Sequence, residues 1–254
     1  MTNKTYKILA ILAMLLFLTS GCLKEKKQLT AEEIRDKAIE AMKNVKSYEF
    51  DMVMQLTPKN EPTQSIDLHA RGKINKEARK AYMLMSMKAM GTSMEMETYI
   101  IGNEQYIKLP MLGWVKNETS EHIWEKLEPK TTLLEDVKVN LIGTEEVDNE
   151  ECYILETKPD IEKVLEMTQQ IGEGKSADAI KFVKNIEAKE WISKKTFLVK
   201  KTVVNMEMEK EGQSADVSIT MRVYNYNKPM NIELPEEAKN AIDIKSGTLP
   251  AMGS

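Results

Sequence analysis

SYEFDMVMQL, residues 47–56, is the stretch that decides the fold class of this chain. From Tyr48 to Leu56 every second residue is apolar, and the residues between them are mostly charged or polar. Successive side chains of a β-strand point to opposite faces, so a period of two predicts a strand with one dry face and one wet face. Strands of this kind are typical of antiparallel sheets that bury one face and leave the other in water.

The same alternation recurs along most of the chain. It predicts strands at residues 47–56, 66–74, 81–87, 94–100, 105–109, 137–147, 151–158, 186–193, 196–210 and 214–226. Short turns join most of them, which favours neighbours that pair antiparallel in one large sheet. A sheet of about ten strands has to twist and curl, or close on itself.

Two helices interrupt the strands and are expected to dock on the dry face of the sheet. The first begins after Thr30, which forms with Glu33 the capping box typical of a helix N-terminus, and ends near Lys46. The second, at residues 160–171, has one apolar side. Shorter helical turns are predicted at residues 177–185 and between Trp114 and Trp124.

The N-terminus has the layout of an export signal. Lysines precede an unbroken apolar run at residues 8–18, and a bilayer-spanning helix needs about 20 apolar residues, so this run is too short to cross. Small residues and then Cys22 follow, an order that resembles the lipobox of prokaryotic lipoproteins. The resemblance implies that residues 1–21 are removed and that a diacylglyceryl group is attached to Cys22. An uncleaved N-terminal anchor with an incidental cysteine is the alternative.

The rest of the chain divides into a tether, one domain and a tail. Residues 22–29 are charged and lack apolar periodicity, so we expect a solvated tether at the extracytoplasmic face of the cell membrane. Residues 30–244 are expected to form a single domain, because neither a repeat nor an interdomain linker interrupts the pattern. Residues 245–254 contain glycine, proline and serine and are predicted to be disordered.

Charge and cysteine content narrow the range of partners. The formal charge of −4 becomes −6 once Lys4 and Lys7 leave with the signal, and an acidic chain without a basic cluster is not expected to bind nucleic acid. With Cys22 lipidated, Cys152 has no intramolecular partner, and its apolar neighbours predict a buried thiol. Neither His69 nor His122 belongs to a spacing of metal ligands, so no metal and no cofactor is expected.

Motifs for catalysis are weak throughout. The sequence has no GxSxG nucleophile elbow, and the carboxylates of the predicted strands are expected to face water. The chain is therefore not expected to be an enzyme; an enzyme that acts on envelope components is the weakest alternative. Asn117-Glu118-Thr119 is an N-glycosylation sequon with Asn117 as the candidate acceptor, although so short a motif is common by chance.

Methionine is the compositional outlier, with 18 residues against 4 phenylalanines. Most strand methionines occupy the apolar positions of the alternation, so several are expected to line one face. One interpretation is a pliable apolar hollow, since methionine adapts to varied ligands; the other is an ordinary core filled by methionine. In the first interpretation, helix 160–171 is a lid. The predicted ligand-binding residues are then Met52, Met54, Met83, Met85, Met94, Met96, Leu165, Met206, Met208 and Met221.

Four stretches resemble the LolA/LolB-like lipoprotein superfamily, which includes the LppX/LprG-type lipid-binding lipoproteins. They are AIEAMKNVKSYEF (38–50), AKEWISKKTFLVKK (188–201), YNYNKP (224–229) and IELPEEA (232–238). The resemblance spans residues 30–242. It implies an α+β fold, with a large curved antiparallel sheet forming an unclosed half-barrel and helices covering its concave face. Lipids or acyl chains occupy the apolar hollow in that superfamily.

The leading hypothesis is therefore a membrane-anchored lipoprotein. It would bind a lipid or other hydrophobic ligand in a half-barrel cavity and serve envelope lipid or lipoprotein transport. The alternative is a non-catalytic surface scaffold or sensor domain that interacts with envelope proteins and whose core is filled. The two hypotheses differ in one physical property, which is whether the protein's own side chains fill the apolar face of the sheet.

Overall fold

The computed structural model describes residues 28–119, 123–127, 134, 137–159, 161 and 182–244. Within them the helices are α1 (Ala31–Lys43) and α2 (Ile123–Lys126), and 3₁₀ turns lie at Pro62–Gln64 and Glu236–Asn240. The strands are β1 (Ser47–Pro58), β2 (Ile66–Asn75), β3 (Lys80–Ala89), β4 (Thr92–Ile101), β5 (Glu104–Leu109), β6 (Gly113–Glu118), β7 (Val139–Val147), β8 (Glu150–Thr157), β9 (Val183–Ser193), β10 (Val199–Lys210), β11 (Gln213–Tyr224) and β12 (Ile242–Asp243).

The strands form one 12-stranded sheet in the order β12-β6-β5-β4-β3-β2-β1-β11-β10-β9-β8-β7. The pairings are antiparallel, except that β12 runs parallel to β6. Strands β12 and β7 lie at opposite ends of the order, so the sheet is unclosed in the part of the chain that the structure describes. The predicted large antiparallel sheet is confirmed, whereas a concave face covered by helices stays a prediction.

Helix α1 begins at its predicted N-cap. The Thr30 hydroxyl accepts a hydrogen bond from the Glu33 N–H at 3.1 Å, and the Glu33 carboxylate accepts one from the Thr30 N–H at 2.9 Å. This is the predicted capping box, which satisfies two amide groups at the start of the helix. The helix ends at Lys43, before the predicted Lys46, because the backbone N–H of Asn44 already bonds back to the Ala41 carbonyl.

The two faces of the sheet differ in what covers them. We call the face that carries Tyr48, Phe50, Met52, Met54 and Leu56 of β1 the inner face, and α1 packs on it. The opposite, outer face carries the alternating polar residues of the same strands. It also bears an apolar cluster at one flank, where the C-terminal segment packs on the outer side of β5 and β6 through Leu234, Ala238, Tyr106 and Trp114.

Strand β6 was not among the predicted strands, and its burial explains why. Trp114 lies under the C-terminal segment on the outer face, and Val115 is buried as well, at 1% exposed. A strand covered on both faces has no alternation to detect. Strand β12 was also not predicted, since two residues are too short for any periodic signal.

Strand β9 begins earlier than predicted and β10 begins later. Val183 already pairs with Met208, so the helical turn predicted at residues 177–185 is wrong for residues 183–185. A register shift between Glu207 and Met208 interrupts the alternation there. Before β10, the Ser193 hydroxyl accepts the backbone N–H of Thr196 at 2.9 Å, which holds the chain in a turn until Val199.

Phe50 and Gly72 face each other across β1 and β2. A Cβ atom at Gly72 would lie 2.6 Å from Cε1 of Phe50 and 2.6 Å from the carbonyl oxygen of Tyr82. Both distances are far below van der Waals contact, so the ring occupies the space that a side chain would need. Gly72 is therefore the residue that lets the Phe50 ring lie against the strand backbone.

Candidate functional site

Cross-strand pairing aligns the inner-face residues in rows. The first row runs from β4 to β8 through Met96, Met85, Ala70, Met52, Met221, Thr202, Glu190 and Leu155. The second row runs beside it through Met94, Met87, Leu68, Met54, Ile219, Val204, Ala188 and Thr157. Residues directly opposite each other on paired strands have Cβ atoms about 5 Å apart, so each row is continuous. We call these two rows, with Met206 and Met208 beyond them, the methionine end.

The predicted ligand-binding methionines lie together on the inner face. The methionine end contains Met52, Met54, Met85, Met94, Met96, Met206, Met208 and Met221. Met83 lies one row away on the same face, opposite Gly72 and Thr98. Leu165 and Cys22 lie outside the described residues, so the structure does not place them.

The other end of the inner face is filled by the protein's own side chains. Ile34 and Ala38 of helix α1 pack against this end, and both are 0% exposed. They belong to a buried cluster with Tyr48, Ile74, Ala81, Ile100, Ile192, Val199 and Val223. Trp124 of α2 joins this cluster and donates its indole N–H to the Gly102 carbonyl at 2.9 Å. We call this region the packed end.

On β1 to β4, by contrast, the methionine end is only half-buried. Met52, Met54, Met85 and Met87 are all partly exposed, and Met94 is 51% exposed. Within the described residues, the core cluster that α1 completes contains none of these side chains. This part of the sheet therefore presents a contiguous surface of flexible thioether side chains.

On β9 and β10 the methionine end is partly buried. Ile161, the one described residue of the predicted helix 160–171, packs against a cluster that includes Ile186, Ala188 and Val204. The start of that segment therefore lies on the inner face. The remainder of the predicted helix is outside the described residues.

An open cavity of about 860 Å³ lies between the start of α1 and the β7–β8 hairpin. Leu29, Leu141, Tyr153 and Phe197 contribute apolar walls to it, and Lys194 contributes a charge. Leu141 pairs with Leu155, the last residue of the first row. The cavity thus adjoins the β8 end of the methionine rows and is large enough for part of a small ligand.

Glu190 is the ionisable residue of the two rows. It is 4% exposed, and its Oε2 atom has no hydrogen-bond partner in the described part of the chain. Burial raises the pKa of the carboxyl group to about 8, so the group is mostly protonated at neutral pH. The expectation that strand carboxylates face water is wrong for this residue. The signal was present in the sequence, since Glu190 follows Ile186 and Ala188 at the apolar positions of β9.

Two tyrosines lie near Glu190 at the border with the packed end. The Glu190 carboxylate contributes, after burial and Tyr48, to the raised pKa of the Tyr226 phenol. The Tyr226 hydroxyl donates to the Val199 carbonyl, and the Tyr48 hydroxyl donates to the Leu127 carbonyl at 3.0 Å. Both phenolic protons are therefore used by backbone carbonyls and are not donated to the buried carboxyl group.

Two threonines flank Glu190 on the same face. Thr202 lies directly opposite it on β10 and is half-buried. Thr157, on β8 and one row away, is 1% exposed, and its hydroxyl also has no hydrogen-bond partner among the described residues. Unpartnered buried polar atoms are uncommon in native proteins because each costs about 1–3 kcal/mol. Two of them on adjacent strands are a feature that the sequence-based site did not include.

The remaining candidate residues lie away from this region. Cys152 is 0% exposed on the outer side of β8, and burial raises the pKa of its thiol, which confirms the predicted buried position. His69 is exposed on β2, and His122 is outside the described residues. Asn117 lies on β6 with its side-chain oxygen buried, and its glycosylation stays a prediction.

The described residues contain neither a metal-binding cluster nor a membrane-spanning helix. The histidine, cysteine and carboxylate side chains of this part of the chain form no group of three or more that could hold a metal ion. None of its helices combines the length and the apolar character that a membrane span requires.

Solved structures with a similar fold include two mycobacterial proteins. LprF from Mycobacterium bovis aligns with a TM-score of 0.50 at 14% sequence identity, over 81% of this chain and 96% of that chain. The lipoprotein LppX from Mycobacterium tuberculosis aligns with a TM-score of 0.51 at 14% identity, over 80% of this chain and 98% of that chain. A LolA superfamily protein from Nitrosomonas europaea aligns with a TM-score of 0.30 at 13% identity, over 83% and 97% of the two chains.

The LprF and LppX alignments confirm the predicted resemblance to LppX-type proteins at the level of the fold. No curated protein sequence matches the chain significantly. A family model does match it, over residues 30–243, and those residues include all the strands and α1. The chain therefore belongs to DUF6612, a family of unknown function.

Proposed function

We propose that this protein is a membrane-anchored lipoprotein that binds a lipid or other hydrophobic ligand at the methionine end of its inner face. In this role it serves envelope lipid or lipoprotein transport as a carrier, and it makes or breaks no covalent bond. The observation that carries the proposal is the half-buried band of methionine side chains on β1 to β4. A soluble domain rarely leaves so continuous an apolar surface unless something binds to it.

Removal of apolar surface from water drives binding in this proposal. Each methylene group of an acyl chain that enters an apolar site contributes about 0.8 kcal/mol before the losses of association are subtracted. A chain of about ten methylene groups would therefore gain about 8 kcal/mol before those losses. Methionine side chains suit such a role, because three rotatable bonds let them adjust to chains of different shape.

Two further parts complete the proposed carrier. Ile161 packs against the same inner-face cluster as Met206 and Met208, which supports a lid role for the predicted helix 160–171, whose other residues lie outside the described part of the chain. Cys22 carries the membrane anchor, and its diacylglyceryl group supplies the two acyl chains that stable anchoring requires. The helices and the sheet then enclose the ligand in the half-barrel arrangement that the superfamily resemblance implies.

The first experiment asks whether the protein carries a ligand. The full-length protein is extracted gently from membranes and examined by native mass spectrometry before and after incubation with lipid. We expect a bound lipid, or uptake of one, in addition to the mass of the anchor. A protein that is consistently empty and takes up nothing would support the alternative, a surface scaffold or sensor domain with a filled core.

The second experiment locates the binding surface with a matched pair of variants. The full chain, carrying Cys22→Ser so that no lipid is attached, is titrated with the apolar fluorophore 1,6-diphenylhexatriene. Met85→Gln places an amide at the methionine end, whereas Leu84→Gln makes the same change on the outer face of β3 at an equally half-buried position. We expect roughly five-fold weaker binding for Met85→Gln only. Equal effects of both variants would contradict binding at the inner face.

A further inference from the structure

Glu190, Thr157 and Thr202 form a polar island inside the apolar surface. Every other member of the two methionine rows is apolar, and the unpartnered Glu190 Oε2 and Thr157 Oγ1 atoms lie on adjacent strands of the same face. Directly opposite Glu190, on β10, Thr202 adds a half-buried hydroxyl group. A carboxyl group and two hydroxyl groups can together donate and accept several hydrogen bonds.

The residues of the two rows determine whether a charged or an uncharged ligand group can bind near Glu190. They contain neither lysine nor arginine, so a phosphate or a fatty-acid carboxylate would meet Glu190 without a compensating cation. A ligand ammonium group would require an ion pair in an apolar setting, where desolvation of both charges offsets their attraction. An uncharged group avoids both penalties. The raised pKa of Glu190 agrees with this, since a protonated carboxyl can donate as well as accept.

We propose that Glu190, together with Thr157 and Thr202, binds an uncharged hydrogen-bonding group of the ligand, such as a hydroxyl or an ester. The chemical class of ligand is then a neutral lipid, in which one polar group is attached to acyl chains that lie along the methionine rows. This inference rests on the proposed function, because it specifies which hydrophobic molecules the same surface selects.

The test compares three ligands whose hydrocarbon chains all have ten carbon atoms. Monodecanoyl glycerol, decyl phosphate and decylamine compete with 1,6-diphenylhexatriene for the full chain carrying Cys22→Ser. We expect the unmodified site to prefer the glycerol ester at least ten-fold over the phosphate and over the amine. Equal or tighter binding of either charged ligand would overturn the proposal, and this comparison does not depend on any further variant.

Variants then assign the preference to Glu190. Glu190→Leu should weaken binding of the glycerol ester about ten-fold, because the polar contact is lost. Its affinity for 1,6-diphenylhexatriene should stay within two-fold of that of the unmodified site. Glu190→Gln should bind the ester with an affinity within three-fold of that of the unmodified site. Glu187→Leu makes the same chemical change on the same strand at a half-buried outer-face position, and no effect on ligand binding is expected.

The outcomes separate this inference from the proposed function. If Glu190→Leu binds the ester as tightly as the unmodified site does, the polar anchor is wrong, while binding of 1,6-diphenylhexatriene still supports the carrier. If the unmodified chain does not bind 1,6-diphenylhexatriene at all, the proposed function fails and the inference fails with it.

Discussion

The packed end and the methionine end of the inner face are built from the same strands and the same alternation. At the packed end, the residues are closed over by α1, and Ile34 and Ala38 reach 0% exposure. At the methionine end of β1 to β4, equally apolar positions remain partly exposed. The difference shows that periodicity determines which face a side chain occupies, whereas the element packed above it determines whether that side chain becomes core.

The first prediction tests the energetic side of this difference. Ile34→Ala should lower the free energy of unfolding by about 3–4 kcal/mol, since it leaves a cavity in a closed cluster. Met54→Ala should lower it by only about 1 kcal/mol, because a half-buried side chain loses less transfer free energy and leaves no sealed cavity. Urea denaturation of both variants measures the two losses. Equal losses would mean that the methionine end is as tightly packed as the other end.

The second prediction concerns the border between the two ends, where Glu190 lies. The unfolded chain releases the Glu190 proton near the ordinary pKa of 4.5, whereas the native state keeps it until about pH 8. Between these values the unfolded state binds fewer protons, so the stability falls as the pH rises, by roughly 1 kcal/mol per pH unit. Glu190→Gln removes this slope, so the stability advantage of the variant should grow by about 3 kcal/mol between pH 5 and pH 7.5.

Thermal or urea unfolding at several pH values measures the effect of Glu190→Gln. Among the described residues Tyr226 is a titratable neighbour of Glu190. Burial raises its phenol pKa, and that of the adjacent Tyr48, well above this range, so neither contributes to the slope. An advantage that is the same at pH 5 and pH 7.5 would show that Glu190 is ionised in the native protein.

The third and smallest prediction separates stability from binding. Thr30→Ala removes the hydroxyl that caps α1 and should lower the free energy of unfolding by about 1 kcal/mol. Because α1 covers the packed end, binding of 1,6-diphenylhexatriene at the methionine end should stay unchanged. Fluorescence titration and urea denaturation of the same preparation check both statements. A parallel loss of binding would mean that the two ends are coupled through the helix.

Much of the fold could be predicted from the sequence, because most strands have one wet and one dry face. The long strands β1 to β4 show the alternation in its simplest form, and the capping box marks the start of α1. Prediction failed where both faces of a strand are covered, as in β6, and where a register shift interrupts the period, as in β9.

The candidate site could be predicted only in part. The alternation of apolar and polar residues was sufficient to place the methionines on one face. The polar island was missed because Glu190 was treated as a typical exposed carboxylate. Its position in β9 nevertheless lies on the same face as Ala188 and Ile192. Thr157 gave no comparable signal, since threonine is common in strands and the absence of a hydrogen-bond partner is a property of the assembled sheet.

The contact between the Phe50 ring and Gly72 has a consequence for the evolution of the family. A side chain at position 72 would meet the backbone carbonyl oxygen of Tyr82 as well as the Phe50 ring, so a smaller residue at position 50 would not by itself make room for it. We therefore expect glycine at position 72 among relatives even where position 50 is not aromatic. That glycine would then serve as a marker of strand register when distant homologues are aligned.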